Sequence, residues 1–534
     1  MDKSAEQTGV IARSAAVVSI AVLCSRVLGL VREQAFAMLF GAGYTFDAFV
    51  VAFRIPNLLR DLFGEGALSA AFIAVFTAYD EKKGEKETWR LASNVLVFFG
   101  VFLSILVLVG IFAAEDLVRL LVQEDFAAVP GKVELTAKLT AIMFPFLVMV
   151  SLAAVVMGIL NSKGRFFIPA LSSSFFNLGS LVGGVGLAWL LPRFGQPAIV
   201  GMALGILIGG VLQLLCQLPA LHRTGFRFTF HLDLKDPGLR KILRLMLPAV
   251  VGLAPLQLNI LINTYFASSL AEGTLSWLNY AFRLFWLPVG LFGVALSVAT
   301  MPVISRYASQ QDFPRLRETF ASSLTMAFCL SIPASVGLII LAEPIIRVIF
   351  QHGRFDQFAT ARTAEVLACY AVGLFAYAAV KIMVPIFYAL DRPRFPVMGS
   401  FVTLAVNLLI ILATIEYLEH RALALSISGA MTVNFLFLGT MLYRTMGGYP
   451  LGYVVRGLGK VVLASSVMAL WLLGLKQWFF PSGLEPGRLL LDLGAVTTAV
   501  FTGAGIYGLS LHYLQLNELE VLRRRLLQKI RPNT

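Results

Sequence analysis

The feature that most constrains this chain is a succession of continuous apolar runs, separated by charged or Gly/Pro-bearing loops. A bilayer core needs about 20 helical residues to cross it, and by that measure the runs number about fourteen. They cover 14–40, 46–79, 89–114, 133–160, 166–191, 196–221, 239–270, 275–307, 316–341, 362–390, 395–418, 422–443, 449–480 and 486–514. Their continuity excludes a transmembrane β-barrel, whose strands alternate. Composition excludes a soluble globule as well. With 58% hydrophobic and 14% charged residues and a mean hydropathy of +0.82, such a globule could not cover its surface with polar groups. Soluble enzymes, disordered chains and fibrous proteins drop out together. The chain reads as an all-α polytopic membrane protein.

The net charge is +13, from 43 Lys and Arg against 30 Asp and Glu. In a membrane protein this excess marks cytoplasmic loops rather than nucleic-acid binding. With the N-terminus placed inside, 27 of the 43 basic residues fall in cytoplasmic segments and 10 in outer loops. Both termini are therefore expected in the cytoplasm, as an even number of spans requires. The first apolar run is read as a helix rather than a signal peptide, because no small-residue cleavage site follows it. The tail LNELEVLRRRLLQKI reads as a basic amphipathic helix on the inner leaflet or a solvated end. Cys24, Cys216, Cys329 and Cys369 lie in apolar stretches without ligand spacing and read as small core residues.

The chain repeats itself at an offset near 229. Ala52-Phe53-Arg54 returns as Ala281-Phe282-Arg283, Leu62-Phe63-Gly64 as Leu291-Phe292-Gly293, and Asn177 as Asn407 one step later. The offset spans six helices, so both copies enter the membrane in the same direction. This predicts two pseudo-symmetric six-helix lobes, 1–235 and 236–445, with two further helices and a basic tail in 446–534. A ligand path and rocking of the lobes are the usual use of such symmetry.

The most informative residues are ionisable ones inside the spans. Helix 1 carries Arg26, Arg32 and Glu33; helix 2 carries Asp47, Arg54, Arg60, Asp61 and Glu65; helix 8 carries Arg283; helix 10 carries Lys381. Each mid-membrane Arg costs about 2.5–3.5 kcal/mol even on the lenient insertion scale. A cluster of them needs a wet cavity, ion pairs or both. Arg in excess of acid suits an anion, and its planar donor fork suits phosphate. Competing structural readings stand beside this. Arg54 can pair with Asp47 two turns away, Arg60 and Asp61 can cap a break at Gly64-Glu65-Gly66, and Arg26 can snorkel. Arg283, with apolar neighbours on both sides, resists a purely structural reading. Pro56, Gly64 and Gly66 predict that helix 2 is bent or broken, as a gating element would be. No phosphate-binding Gly-rich loop, zinc motif, calcium loop or nucleophile elbow is present in the sequence. No enzyme, metal or cofactor is therefore expected.

Two runs carry a resemblance. Ser25-Arg26-Val27-Leu28-Gly29-Leu30-Val31-Arg32-Glu33 is followed by Phe40-Gly41-Ala42-Gly43 and Asp47-Ala48-Phe49. Then comes Ala52-Phe53-Arg54-Ile55-Pro56-Asn57-Leu58-Leu59-Arg60, with Glu65-Gly66-Ala67-Leu68-Ser69-Ala70-Ala71-Phe72 after it. With Ser276-Trp277 through Arg283, Pro288 and Gly293-Val294-Ala295-Leu296, these resemble the MurJ (MviN) lipid II flippases of the MOP exporter superfamily, across essentially the whole chain. The resemblance implies a bacterial inner-membrane protein that moves undecaprenyl-diphosphate-linked peptidoglycan precursor outward by alternating access. It implies Arg26, Arg32, Arg60 and Arg283 as the diphosphate site, with Glu33, Asp47, Arg54, Asn57, Gly64, Glu65 and Gly66 gating or supporting it. It implies helices 13 and 14 as the groove for the lipid tail. Lipid II, membrane lipids and cell-wall synthesis proteins are the implied partners. Three positions depart from the family pattern: Glu33 stands for a common Asp, Phe282 for a frequent acid, and Asn263 for an Asp sodium ligand of some members. The last leaves monovalent-ion coupling open. The rivals are a flippase for another polyprenyl-linked glycan, a MATE-like ion-coupled drug antiporter, which would want acidic cavity residues, and a membrane glycosyltransferase, whose catalytic carboxylates are not evident.

Overall fold

The computed structural model describes residues 2–479 and 489–516, with side chains from residue 20 onward except those of 65, 67 and 70. The amphipathic tail expected after 516 lies outside the described residues. Among the described residues every regular element is helical. Eleven helices are long and apolar enough to cross a membrane, or twelve when Gln357–Val372 and Leu374–Ala389, bent by 44°, count as one span. These match the third to fourteenth expected runs. The two N-terminal helices, which carry the clustered charges, fall outside that set and leave the count of fourteen compatible with the fold. The chain is an all-α polytopic membrane protein. It divides into two compact units, Met1–Ser276 and Trp277–Thr534. The division falls one helix later than the repeat-based border at 235/236.

In the first unit the helix Asp2–Phe40 is followed by Tyr44–Arg60, a π-helical segment Asp61–Gly66 and Ala67–Lys83. The break sits where Gly64 and Gly66 relax the backbone. The core of this unit joins Leu68, Phe72 and Phe76 to Leu91, Val95 and Phe99, and to Leu147, Val155 and Ile159. Ile242 and Met246 bring the helix Pro237–Ala267 into the same core. Phe167–Leu190 and Ala198–Leu215 lie so close that a Cβ on Gly205 would sit 2.5 Å from the Cα of Gly184. Membrane helices gain no hydrophobic drive from lipid, so such close backbone packing replaces it. Asn177 ties this pair to the first helix by donating to the Ser25 carbonyl at 3.0 Å.

In the second unit Thr274–Pro288, which begins just before it, runs through a π-helical segment Val289–Val294 into Ala295–Ser309. This break and the one at 61–66 occupy equivalent places in the repeat, each around a Leu-Phe-Gly, which is structural support for the duplication. Phe320, Leu324 and Phe328 pack on Ile382, Met383, Ile386, Leu438 and Leu442. A second cluster holds Leu451–Phe479 and Leu489–Tyr513 through Val461, Met468, Leu472, Ala499 and Leu511 on Cys329 and Leu341. Tyr507 donates its hydroxyl to the Cys329 carbonyl at 2.7 Å. The bend at Gly373 leaves carbonyls short of helical donors, and the Ser428 hydroxyl donates to those of Cys369 and Tyr370.

The cysteines correct an expectation. Only Cys329 is buried; Cys216 and Cys369 are half-buried and Cys24 is exposed. Apolar flanks in a membrane helix do not specify an interior position, because lipid accepts the same side chains.

Candidate functional site

The first helix places Arg32 and Glu33 together in its interior-facing side. Arg32 is buried, and its guanidinium donates to Glu33 Oε1 at 2.8 Å. It also lies 5.5 Å from the Phe176 ring. A buried guanidinium is tolerated when a carboxylate and an aromatic face compensate its lost hydration. Arg26, two turns nearer the N-terminus, is exposed.

Arg60 ends the helix Tyr44–Arg60, and Asp61 opens the π segment. The guanidinium meets Asp61 Oδ1 through NH2 at 2.7 Å and Nε at 3.1 Å. About a quarter of each side chain stays exposed, 24% and 28%. Asn57, half-buried, accepts the Asp61 backbone N–H with its carbonyl. Gly64 faces the Ser151 hydroxyl, and Gly66 lies against Leu253 of Pro237–Ala267. Glu65 lies in the π segment, and its side chain is outside the described set.

Asp47 is wholly buried at the start of its helix, and it is not met by Arg54, which is half-buried two residues before Pro56. Its carboxylate accepts from the backbone N–H of Gly273 at 2.7 Å and of Ser276 at 2.9 Å, and from the Ser276 hydroxyl at 2.6 Å. These donors open the helix Thr274–Pro288, so Asp47 caps that helix from a distance in sequence. The buried Lys132 ammonium, 3.8 Å away, supplies the counter-charge. It sits 4.5 Å from the Phe126 ring and 5.6 Å from that of Tyr44. Lys132, Gly273 and Ser276 were not read from sequence as partners of Asp47. Asn263, on Pro237–Ala267, donates to the Asn259 carbonyl of its own helix at 2.7 Å.

In the second unit Arg283 is exposed on the helix capped by Asp47. Phe282, at the position of a frequent acid, packs against Phe285, Trp286 and Tyr370. An aromatic ledge thus steadies this helix. Lys381 is exposed, its ammonium 5.6 Å from the Trp286 ring. Chemically, the first unit offers Arg26, Arg32 and Arg60, and the second offers Arg283. The donor type suits an anion with several oxygens, such as a phosphate ester.

Residues 36–486 match the family model described as lipid II flippase MurJ. A relative from Buchnera aphidicola subsp. Acyrthosiphon pisum, named probable lipid II flippase MurJ, is 37% identical over 80% of this chain and 83% of its own. A solved structure of lipid II flippase MurJ in an inward closed conformation superposes with a TM-score of 0.74 at 25% identity. It covers 92% of this chain and 99% of that one. An inward-facing multidrug resistance MATE transporter of the MOP superfamily gives 0.60 at 16% identity, over 80% of this chain and 94% of that one, and shares the fold. A family model matched over most of the chain and a relative 37% identical over 80% of it show that the chain belongs to the lipid II flippase MurJ family.

Proposed function

We propose that this chain is a lipid II flippase of the bacterial inner membrane, multi-pass and with both termini in the cytoplasm. Its substrate-binding arginines are Arg26, Arg32, Arg60 and Arg283, and they grip the diphosphate while the polyprenyl tail remains in lipid. Alternating exposure of these arginines to the two sides carries the headgroup across. Lobes 1–235 and 236–445 are the moving bodies, and 446–534 serves the tail. Family membership supports the substrate. The observation that carries the site is Arg283, exposed on a helix whose neighbouring residues are apolar. Its exposed guanidinium is open to solvent and has the donor geometry that suits the oxygens of a phosphate ester.

The antiporter rival wants uncommitted carboxylates. Glu33, Asp47 and Asp61 each hold a cation instead, which opposes it. The test replaces Arg283 with Ala and, separately, with Lys, in cells depleted of their own flippase. Lipid II reaching the outer leaflet is measured by chemical labelling. Both variants are expected at normal protein level, with translocation lost in Arg283→Ala and partly kept in Arg283→Lys. Normal translocation in Arg283→Ala would remove this residue from the site.

A further inference from the structure

The Asp61 carboxylate is divided between two partners. One oxygen takes the Arg60 guanidinium, and the other accepts from Nε2 of Gln257 at 3.2 Å. Gln257 is buried on Pro237–Ala267, two residues after Pro255. Proline has no N–H for the Val251 carbonyl, so this stretch of helix is weakened against bending. The π segment that Asp61 opens closes at Gly66, where an added Cβ would stand 2.9 Å from Leu253 of that same helix. A Leu253 side chain seated against Gly66 and one shared carboxylate therefore join the break to the proline-weakened helix. A π-helical interruption next to a charged pair is a common setting for a moving part.

We propose that Asp61 is a resident stand-in for substrate phosphate on Arg60, and that Gln257 is the latch that transmits its displacement to the helix 237–267. This rests on the reading that Arg60 holds the diphosphate. The donors that grip a carboxylate are the same ones that grip a phosphate edge, so the two compete for one guanidinium. A diphosphate carries more charge than a carboxylate and wins that competition. Two anions at one cation repel strongly where water is scarce, so the Asp61 side chain turns away. Gln257 then loses its acceptor, and the helix is released from the break. Without cargo, Arg60 stays occupied and the helix stays latched. Asp61 and Gln257 are positioning residues that tie helix release to occupancy of the site.

The test uses the full chain in lipid nanodiscs and inorganic diphosphate as the probe. Binding is read by calorimetry, and release of the helix by hydrogen–deuterium exchange of peptides covering 250–262. Asp61→Asn is expected to bind diphosphate about 10-fold tighter than wild type, because a charge-assisted competitor is gone. Gln257→Leu should bind diphosphate somewhat tighter, because binding no longer has to break the latch, and should exchange several-fold faster at 250–262 without ligand and gain nothing more when diphosphate is added. Wild type should reach that faster exchange only with diphosphate. Unchanged affinity in Asp61→Asn, or wild-type exchange in Gln257→Leu, overturns the proposal. Arg60→Ala separates the layers. If it abolishes diphosphate binding while Asp61→Asn is neutral, the stand-in fails and the site survives. If it leaves binding intact, the reading of Arg60 fails and the stand-in with it.

Discussion

At the scale of the residue, the buried charges are arranged as pairs with unequal duties. Arg32–Glu33 is sealed in, whereas Arg60–Asp61 keeps a quarter of its surface open. An anion arriving from water reaches the second far more readily. Asp47 is different again, since its four contacts hold a helix end and a buried ammonium. Asp47→Ala should leave Lys132 buried without its counter-charge, a loss on the order of 3–5 kcal/mol. Thermal unfolding of the purified protein should show a clearly lowered Tm. Adding Lys132→Met should recover much of it, because the double variant no longer buries a lone charge. No recovery would mean that the cap on Thr274–Pro288, rather than the charge balance, is what Asp47 supplies.

At the scale of the element, the first π-helical break holds two glycines with unequal room. A Cβ on Gly66 would stand 2.7 Å from the Asp61 carbonyl, whereas one on Gly64 would meet the Ser151 hydroxyl at 3.3 Å and side-chain carbons of Arg60 and Val150 at 3.6 Å. Gly66→Ala is expected to lower lipid II translocation per molecule about 10-fold or more by forcing the backbone of the break to shift. Gly64→Ala should be mild, because a side-chain hydroxyl can give way. Equal effects would show that the break is a passive kink. Much of this level was legible in the sequence. Apolar length fixes a span locally, so twelve runs were readable one by one, and Pro56 with two glycines marked the first break. The second break was not anticipated, though Leu291-Phe292-Gly293 had been matched to Leu62-Phe63-Gly64, because its apolar flanks carry no charge to draw attention. The partner of Asp47 was misread for a related reason. Spacing along one helix offers Arg54, but the true contacts, Lys132 and Ser276, come from elements 85 and 229 residues away. Tertiary partners leave no periodic trace.

At the scale of the whole molecule, the excess of basic residues in alternate loops makes a topological claim. Alkaline phosphatase, active only outside the cytoplasm, should be silent when fused after Thr534 and active when inserted at 419–421. The reverse pattern would invert the assignment of both termini. The last two described helices raise a separate point. Leu489–Tyr513 is moored by Asp492 to Arg347 at 3.2 Å, with both side chains nearly buried, and by an apolar seam that includes Cys329. Such a mooring is a rivet rather than a pivot. Once the native cysteines are replaced, a short bis-maleimide staple between cysteines at 347 and 492 should leave turnover intact. The proposed berth for a greasy tail would then be fixed furniture, carried along by one body throughout every stroke.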